Sequence, residues 1–123
     1  NGYGPNRFRR QAAEEGRVVL FGNGEERRDH VLINDLGELI SRVVAGRSRG
    51  ILNVATGSVM SFHEIAEIVA AQFDVAPTIE TTPRSGSMPH NGYRPFDVSA
   101  THVAFPDFAY TQLDEGLRWV VSG

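Results

Sequence analysis

Leu20-Phe21-Gly22-Asn23-Gly24-Glu25-Glu26-Arg27-Arg28-Asp29-His30-Val31-Leu32-Ile33-Asn34-Asp35 packs two structural edges and a cluster of charge into one short segment. It reads as the end of an apolar strand, a glycine-rich turn, two adjacent arginines, a second strand and a helix start. Arg28 stands between the turn and the β-like run, where its guanidinium can be held firmly and aimed into a cleft. A guanidinium suits phosphate or carboxylate because its planar fork donates parallel hydrogen bonds and keeps its charge. The plainer alternative is that Arg28 pairs at the surface with Asp29, Glu26 or Asp35, as charge runs often do.

Outward from this segment the pattern alternates helix and strand. Asn6 is placed to cap a helix over Arg7 to Glu15 that Gly16 closes, with Phe8 and Ala12 inward. Arg17 to Phe21 reads as a strand, His30 to Ile33 as another, and Asn34 as the cap of the next helix. Leu36, Leu39, Ile40, Val43 and Val44 give that helix an apolar stripe, and Gly46 ends it. Ile51 to Val54 is a short apolar run that reads as a sheet strand. Ser61 with Glu64 writes a capping box, and Met60 with Ile65 a hydrophobic staple, ahead of a helix with Phe62, Ile65, Ala66, Val69 and Phe73 inward. Thr78 to Thr81 is a further strand. Pro83 to Pro95 has no periodicity and is bracketed by Arg84 and Arg94; such loops are usually functional or disordered. A short element over Asp97 to Phe105 stops at Pro106, and a last helix from Thr111 carries Leu113, Leu117, Val120 and Val121.

This order predicts an α/β fold with few short strands and flanking helices. The 123 residues suit one domain, 1–123, able to bury a core. A formal net charge of -3 argues against general nucleic-acid binding, and no apolar run approaches a membrane span, so neither partner is expected. With no cysteine there is no disulfide, thiolate metal site or Cys nucleophile, a composition that fits a cytosolic enzyme. The chain begins at Asn1, without Met, in a turn-rich stretch, and reads as a piece of a longer protein. Sheet neighbours for Ile51 to Val54 are expected upstream of it.

Complete catalytic machinery is not legible. His30, His63, His90 and His102 lack metal-ligand spacing, so no metal site is expected, and no GxSxG, P-loop or GxGxxG occurs. What remains is anion recognition. Arg28, Arg84 and Arg94 all adjoin turn or loop residues, and converging guanidinium groups would hold a diphosphate.

Tyr3-Gly4-Pro5, Leu20-Phe21-Gly22, Arg28-Asp29 with Val31, Asp35-Leu36, Asn53-Val54-Ala55-Thr56-Gly57, Ser61-Phe62-His63-Glu64 and Arg94-Pro95-Phe96-Asp97 occur in the order of one family. The set resembles the C-terminal half of an NAD-dependent epimerase/dehydratase, an extended short-chain dehydrogenase/reductase acting on nucleotide sugars. The resemblance implies a small substrate-binding lobe of an extended Rossmann-type enzyme. The N-terminal Rossmann domain, with the NAD or NADP site and the catalytic Tyr-x-x-x-Lys pair, is absent from this chain. It implies Arg28 and Arg94 as contacts to the nucleotide diphosphate and Asp97 near the nucleoside. Val19 and Phe21 would border the base, and Asn6 would face the substrate. The intact enzyme is expected to be a homodimer, with turnover expected only there. Phe96 departs from the usual glycine of the last motif, and Met88 to Tyr93 matches no family motif. The competing reading is a non-catalytic α/β module that binds a protein partner through the 84–94 loop.

Overall fold

The computed structural model describes residues 4–121, side chains of 119–121 excepted; Tyr3 of the first motif and the burial of Val120 and Val121 lie outside what is described. Helix α1 (Pro5–Glu15) leads into strand β1 (Arg17–Phe21) through Gly16, whose left-handed φ of 65° lets its N–H close on the Ala12 carbonyl. Gly22 to Gly24 turn the chain, as their sequence predicts, into β2 (Arg27–Asp29). Helix α2 (Ile33–Ala45), strand β3 (Val59–Ser61), helix α3 (Phe62–Ala70) and strand β4 (Thr78–Thr82) follow. A 3-10 turn over Pro89–Gly92 precedes β5 (Tyr93–Arg94), and α4 (Ser99–Ala104) and α5 (Leu113–Val121) complete the order.

The strands form two small sheets. β1 pairs with β4 in parallel, Val18 opposite Ile79 and Leu20 opposite Thr81. β2 is the middle of the second, antiparallel to β3 and parallel to β5. The core lies where α1 and α3 cover β1: Phe8 and Ala12, Val18 and Leu20, Ile65, Ala66 and Val69, with Leu117 from α5. Burying each large aliphatic side chain contributes about 1.5–3 kcal/mol. The capping box at the start of α3 is formed as its sequence writes it: Glu64 N–H donates to Ser61 Oγ at 3.1 Å and Ser61 N–H to Glu64 Oε2 at 2.7 Å.

Five local expectations are corrected. Asn6 does not cap α1; the helix starts two residues earlier than expected, at Pro5, whose fixed φ suits the first turn, with Gly4 before it. The second strand is Arg27–Asp29 rather than His30 to Ile33, because the charged residues gain ladder partners on both sides while the apolar run enters a helix. Asn34 accordingly lies inside α2, whose cap position is Leu32, and of its apolar stripe only Leu39 is buried. Ile51 to Val54 joins no ladder among the described residues, and Ile51 is 94% exposed. Finally, Pro83 to Pro95 is not structureless: it holds the 3-10 turn and β5, which pairs with β2.

Candidate functional site

Strand β2 positions the charge of the opening segment. Its register sets Arg28 opposite Met60 of β3 on one side and opposite Arg94 of β5 on the other. Directly paired residues share a sheet face, so the two arginines of β2 and β5 are neighbours on one surface. Arg28 Nη1 donates to its neighbour's carbonyl, Arg27 O, at 2.8 Å, and Nη2 donates to Pro89 O at 3.3 Å and to Glu26 Oε1. The second oxygen of Glu26 accepts from Arg84 Nη2 at 2.7 Å.

Glu26 is thus a buried carboxylate, 6% exposed, bracketed by two guanidinium groups. A charge so far out of water is tolerable only when paired and hydrogen-bonded. Two further acids of the segment are bonded elsewhere. Asp29 accepts from Thr56 N and Oγ1 at 3.0 and 2.8 Å and from Gly57 N at 2.8 Å, stitching the 51–57 segment to β2. Asp35 accepts from Thr111 N and Oγ1, both at 2.8 Å, and fixes the approach to α5. Of the surface pairings open to Arg28 in the sequence, only the one with Glu26 forms.

Two concavities touch this unit, and a third shares His30 with one of them. One of about 230 Å³ lies between Phe21, Phe62, Arg7, Glu26, Arg84 and Pro89, with the Arg7 guanidinium 4.8 Å from the centre of the exposed Phe21 ring. Arg28 is on the wall of a second, about 380 Å³, with His30, Thr56, Met60 and Tyr110. Asn6 lines a third of about 430 Å³ with His30, Leu32 and Thr111. Burial pushes the His30 imidazole below its usual value, so the ring is neutral at pH 7.

The sequence-derived residues therefore fall into three groups. Phe21 borders the cavity that Glu26 and Arg84 line, and Arg28 borders the one of about 380 Å³. Arg94 neighbours Arg28 by register, but its guanidinium contacts His90 Nε2 at 3.1 Å and lies 5.5 Å from the Phe96 ring centre. Asp97 turns its carboxylate to Ser99 N at 2.9 Å, and the Ser99 hydroxyl and N–H hold it below the usual carboxylate range. Asn6 lines a different concavity, and Val19 N–H is taken by Gln11 Oε1 at 3.3 Å. Sequence reasoning gave Glu26 only as one surface partner for Arg28, and placed Arg7 with Asn6 at a helix start that could face a ligand. The signal available for Glu26 was its place two residues before Arg28, on the same side of an extended chain. No group of three His, Asp or Glu among the described residues is arranged to hold a metal, and no described helix is long and apolar enough to cross a membrane.

No family model matches the chain. It is 27% identical over 104 residues to UDP-glucuronic acid decarboxylase 2 of Arabidopsis thaliana, taking in 73% of this chain and 22% of that one. Among solved structures, a UDP-N-acetylglucosamine 4-epimerase from Methanobrevibacter ruminantium in complex with UDP-N-acetylmuramic acid superposes with a TM-score of 0.82 at 18% identity. It covers 98% of this chain and 40% of that one. MoeE5 in complex with UDP-glucuronic acid and NAD gives a TM-score of 0.71 at 25% identity over 94% of this chain and 41% of that one. A dTDP-glucose 4,6-dehydratase from Bacillus anthracis in complex with NAD gives 0.78 at 17% identity, over 98% and 38%. The chain thus spans about a fifth of the curated relative and two-fifths of these structures. The resemblance to NAD-dependent epimerases and dehydratases holds: the chain has the fold of the C-terminal part of those Rossmann-type enzymes.

Proposed function

We propose that this chain, 1–123, is the nucleotide-sugar-binding part of an NAD(P)-dependent sugar epimerase, dehydratase or related enzyme. The observation that carries the reading is the strand register that sets Arg28 beside Arg94 on β2 and β5. Two fixed guanidinium groups on one face offer the parallel donors that a diphosphate needs. Phe21, exposed and with the Arg7 guanidinium over its ring, offers a face for the base; Val19 shares β1 with it, Asn6 lines a separate concavity, and Asp97 follows β5 in the chain. The 84–94 stretch is tied to β2 through Arg84, Pro89 and β5, which argues against a loop that reaches for a protein partner.

NAD or NADP would be held by a Rossmann domain outside this chain, and supplies a reversible hydride acceptor when bound. The catalytic tyrosine and lysine would lie there too. Ile33, Ile40 and Val44 recur on one face of α2 and are exposed, as is Ile51. That apolar face is where such a domain would pack. This chain's own residues bind and orient the sugar nucleotide, leaving the proton and hydride steps to the other domain.

The test is a thermal-shift series on the complete protein with UDP, dTDP, GDP and inorganic phosphate. A ligand at a hundred times its dissociation constant stabilises by about 2.7 kcal/mol. At least one nucleoside diphosphate should raise the melting temperature well beyond phosphate; no response to any of the three overturns the reading.

A further inference from the structure

Glu26 raises a question that the family motifs leave open: why a buried carboxylate should sit in the middle of an anion site. A negative charge beside Arg28 weakens the attraction of a phosphate. Yet Glu26 is the residue that joins Arg28 to Arg84, one guanidinium on each carboxylate oxygen. The two guanidinium groups share this one bonded carboxylate, with the Glu25 carboxylate at longer range from Arg84. Both arginines are largely buried, so neither long side chain is free to search for a ligand.

Arg84 has spare capacity. Its Nε is buried and donates to no acceptor, and the Glu25 carboxylate stands 4.0 Å from it, beyond hydrogen-bond reach. Arg84 lines the cavity of about 230 Å³ that Phe21 and Arg7 also line. A buried donor without an acceptor, at the wall of a cavity bearing a second guanidinium, calls for an anionic or carbonyl oxygen in that cavity.

We propose that Arg84 is a further anion-binding residue of this site, and that Glu26 is the positioning residue that locks Arg84 and Arg28 into one rigid donor unit. The ligand class is a diphosphate, with one phosphate on Arg28 and the adjoining group within reach of Arg84. This deepens the nucleotide-sugar reading and rests on its assignment of Arg28. Pre-ordering the arginines lowers the entropy lost on binding, because ordering a free arginine costs about as much as a hydrogen bond returns.

The sign of one substitution separates positioning from simple charge. Glu26→Gln removes a negative charge next to two arginines, so electrostatics alone predicts tighter binding of any phosphate. Positioning predicts weaker binding, because an amide has a single acceptor oxygen and cannot hold both forks. The experiment is calorimetric titration of the complete protein with UDP, inorganic pyrophosphate and uridine, for wild type, Glu26→Gln, Arg84→Ala and Arg84→Lys.

UDP and pyrophosphate should each bind about tenfold or more weakly to all three variants, the scale of one charge-assisted hydrogen bond, while uridine is unaffected. Unchanged uridine binding also shows that a variant is folded, and Arg84→Lys keeps the charge if Arg84→Ala unfolds. Tighter binding to Glu26→Gln, or unchanged diphosphate binding to both Arg84 variants, overturns the proposal. If pyrophosphate binds and the variants lose it while UDP binds no better than pyrophosphate, the donor unit stands and the nucleotide reading falls. If wild type binds neither UDP nor pyrophosphate, both fall.

Discussion

Replacing Asp29 by Asn tests how β2 is held in register, and with it the placement of Arg28. The carboxylate takes three hydrogen bonds from one loop: two on Oδ1 from Thr56 N and Oγ1, and one on Oδ2 from Gly57 N at 2.8 Å. Asparagine has the same shape but one acceptor oxygen. With that oxygen at the Oδ1 position, the amide nitrogen meets the Gly57 N–H donor to donor. The loop cannot turn to find another acceptor, since Gly57 has a φ of 79° and lies against Val98. An unmet backbone donor costs about 1–3 kcal/mol, and the two remaining bonds lose their charge assistance, so the sum is about 2–4 kcal/mol. Urea denaturation is the assay, read as a shift of midpoint at constant slope. Because β2 carries Arg28, UDP affinity should fall with stability. A loss below about 1 kcal/mol would refute the reasoning, since it would mean that the loop satisfies itself without the carboxylate.

Three other outcomes follow from the same geometry. Burial lowers the His30 pKa below 6.5, so as pH falls through that value the unfolded chain takes up the proton first. Stability is then lost downward from about pH 6.5, and His30→Phe should remove that part of the pH dependence of the urea midpoint. Gly24→Ala should destabilise by about 1–3 kcal/mol, because a Cβ there would come 2.8 Å from the His63 backbone nitrogen at a φ of 71°; unaltered thermal melting would contradict it. The chain by itself should self-associate through the apolar face of α2, 70% exposed at Val44. Ile40→Lys with Val44→Glu should restore a monodisperse monomer in light scattering, and a monodisperse wild-type chain would count against this.

The elements best legible in the sequence are those whose signals are local. The capping box at Ser61 and Glu64, the Gly16 cap and the apolar run in Arg17–Phe21 each depend on neighbours a few residues away. The errors arise where distant chain decides. Arg27–Asp29 has no strand-like composition, yet it is a strand because β3 and β5 flank it on both sides. Ile51 to Val54 has the composition of a strand and no partner among the described residues. Asn6 and Asn34 are good caps that the chain does not use, since Pro5 and Ile33 start their helices earlier. Within the site, Arg28 was legible because arginine after a glycine turn is a chemical signal. Glu26 and Arg84 lie 58 residues apart, and only folding shows that they meet.

The account stands most directly on Arg28. Calorimetric titration of the complete protein with UDP, comparing wild type with Arg28→Ala, measures its contribution to anion binding. The variant should lose about 1.5–3 kcal/mol, a ten- to hundredfold weaker dissociation constant, in a folded protein. A dissociation constant unchanged by the substitution would contradict it and remove Arg28 from the site.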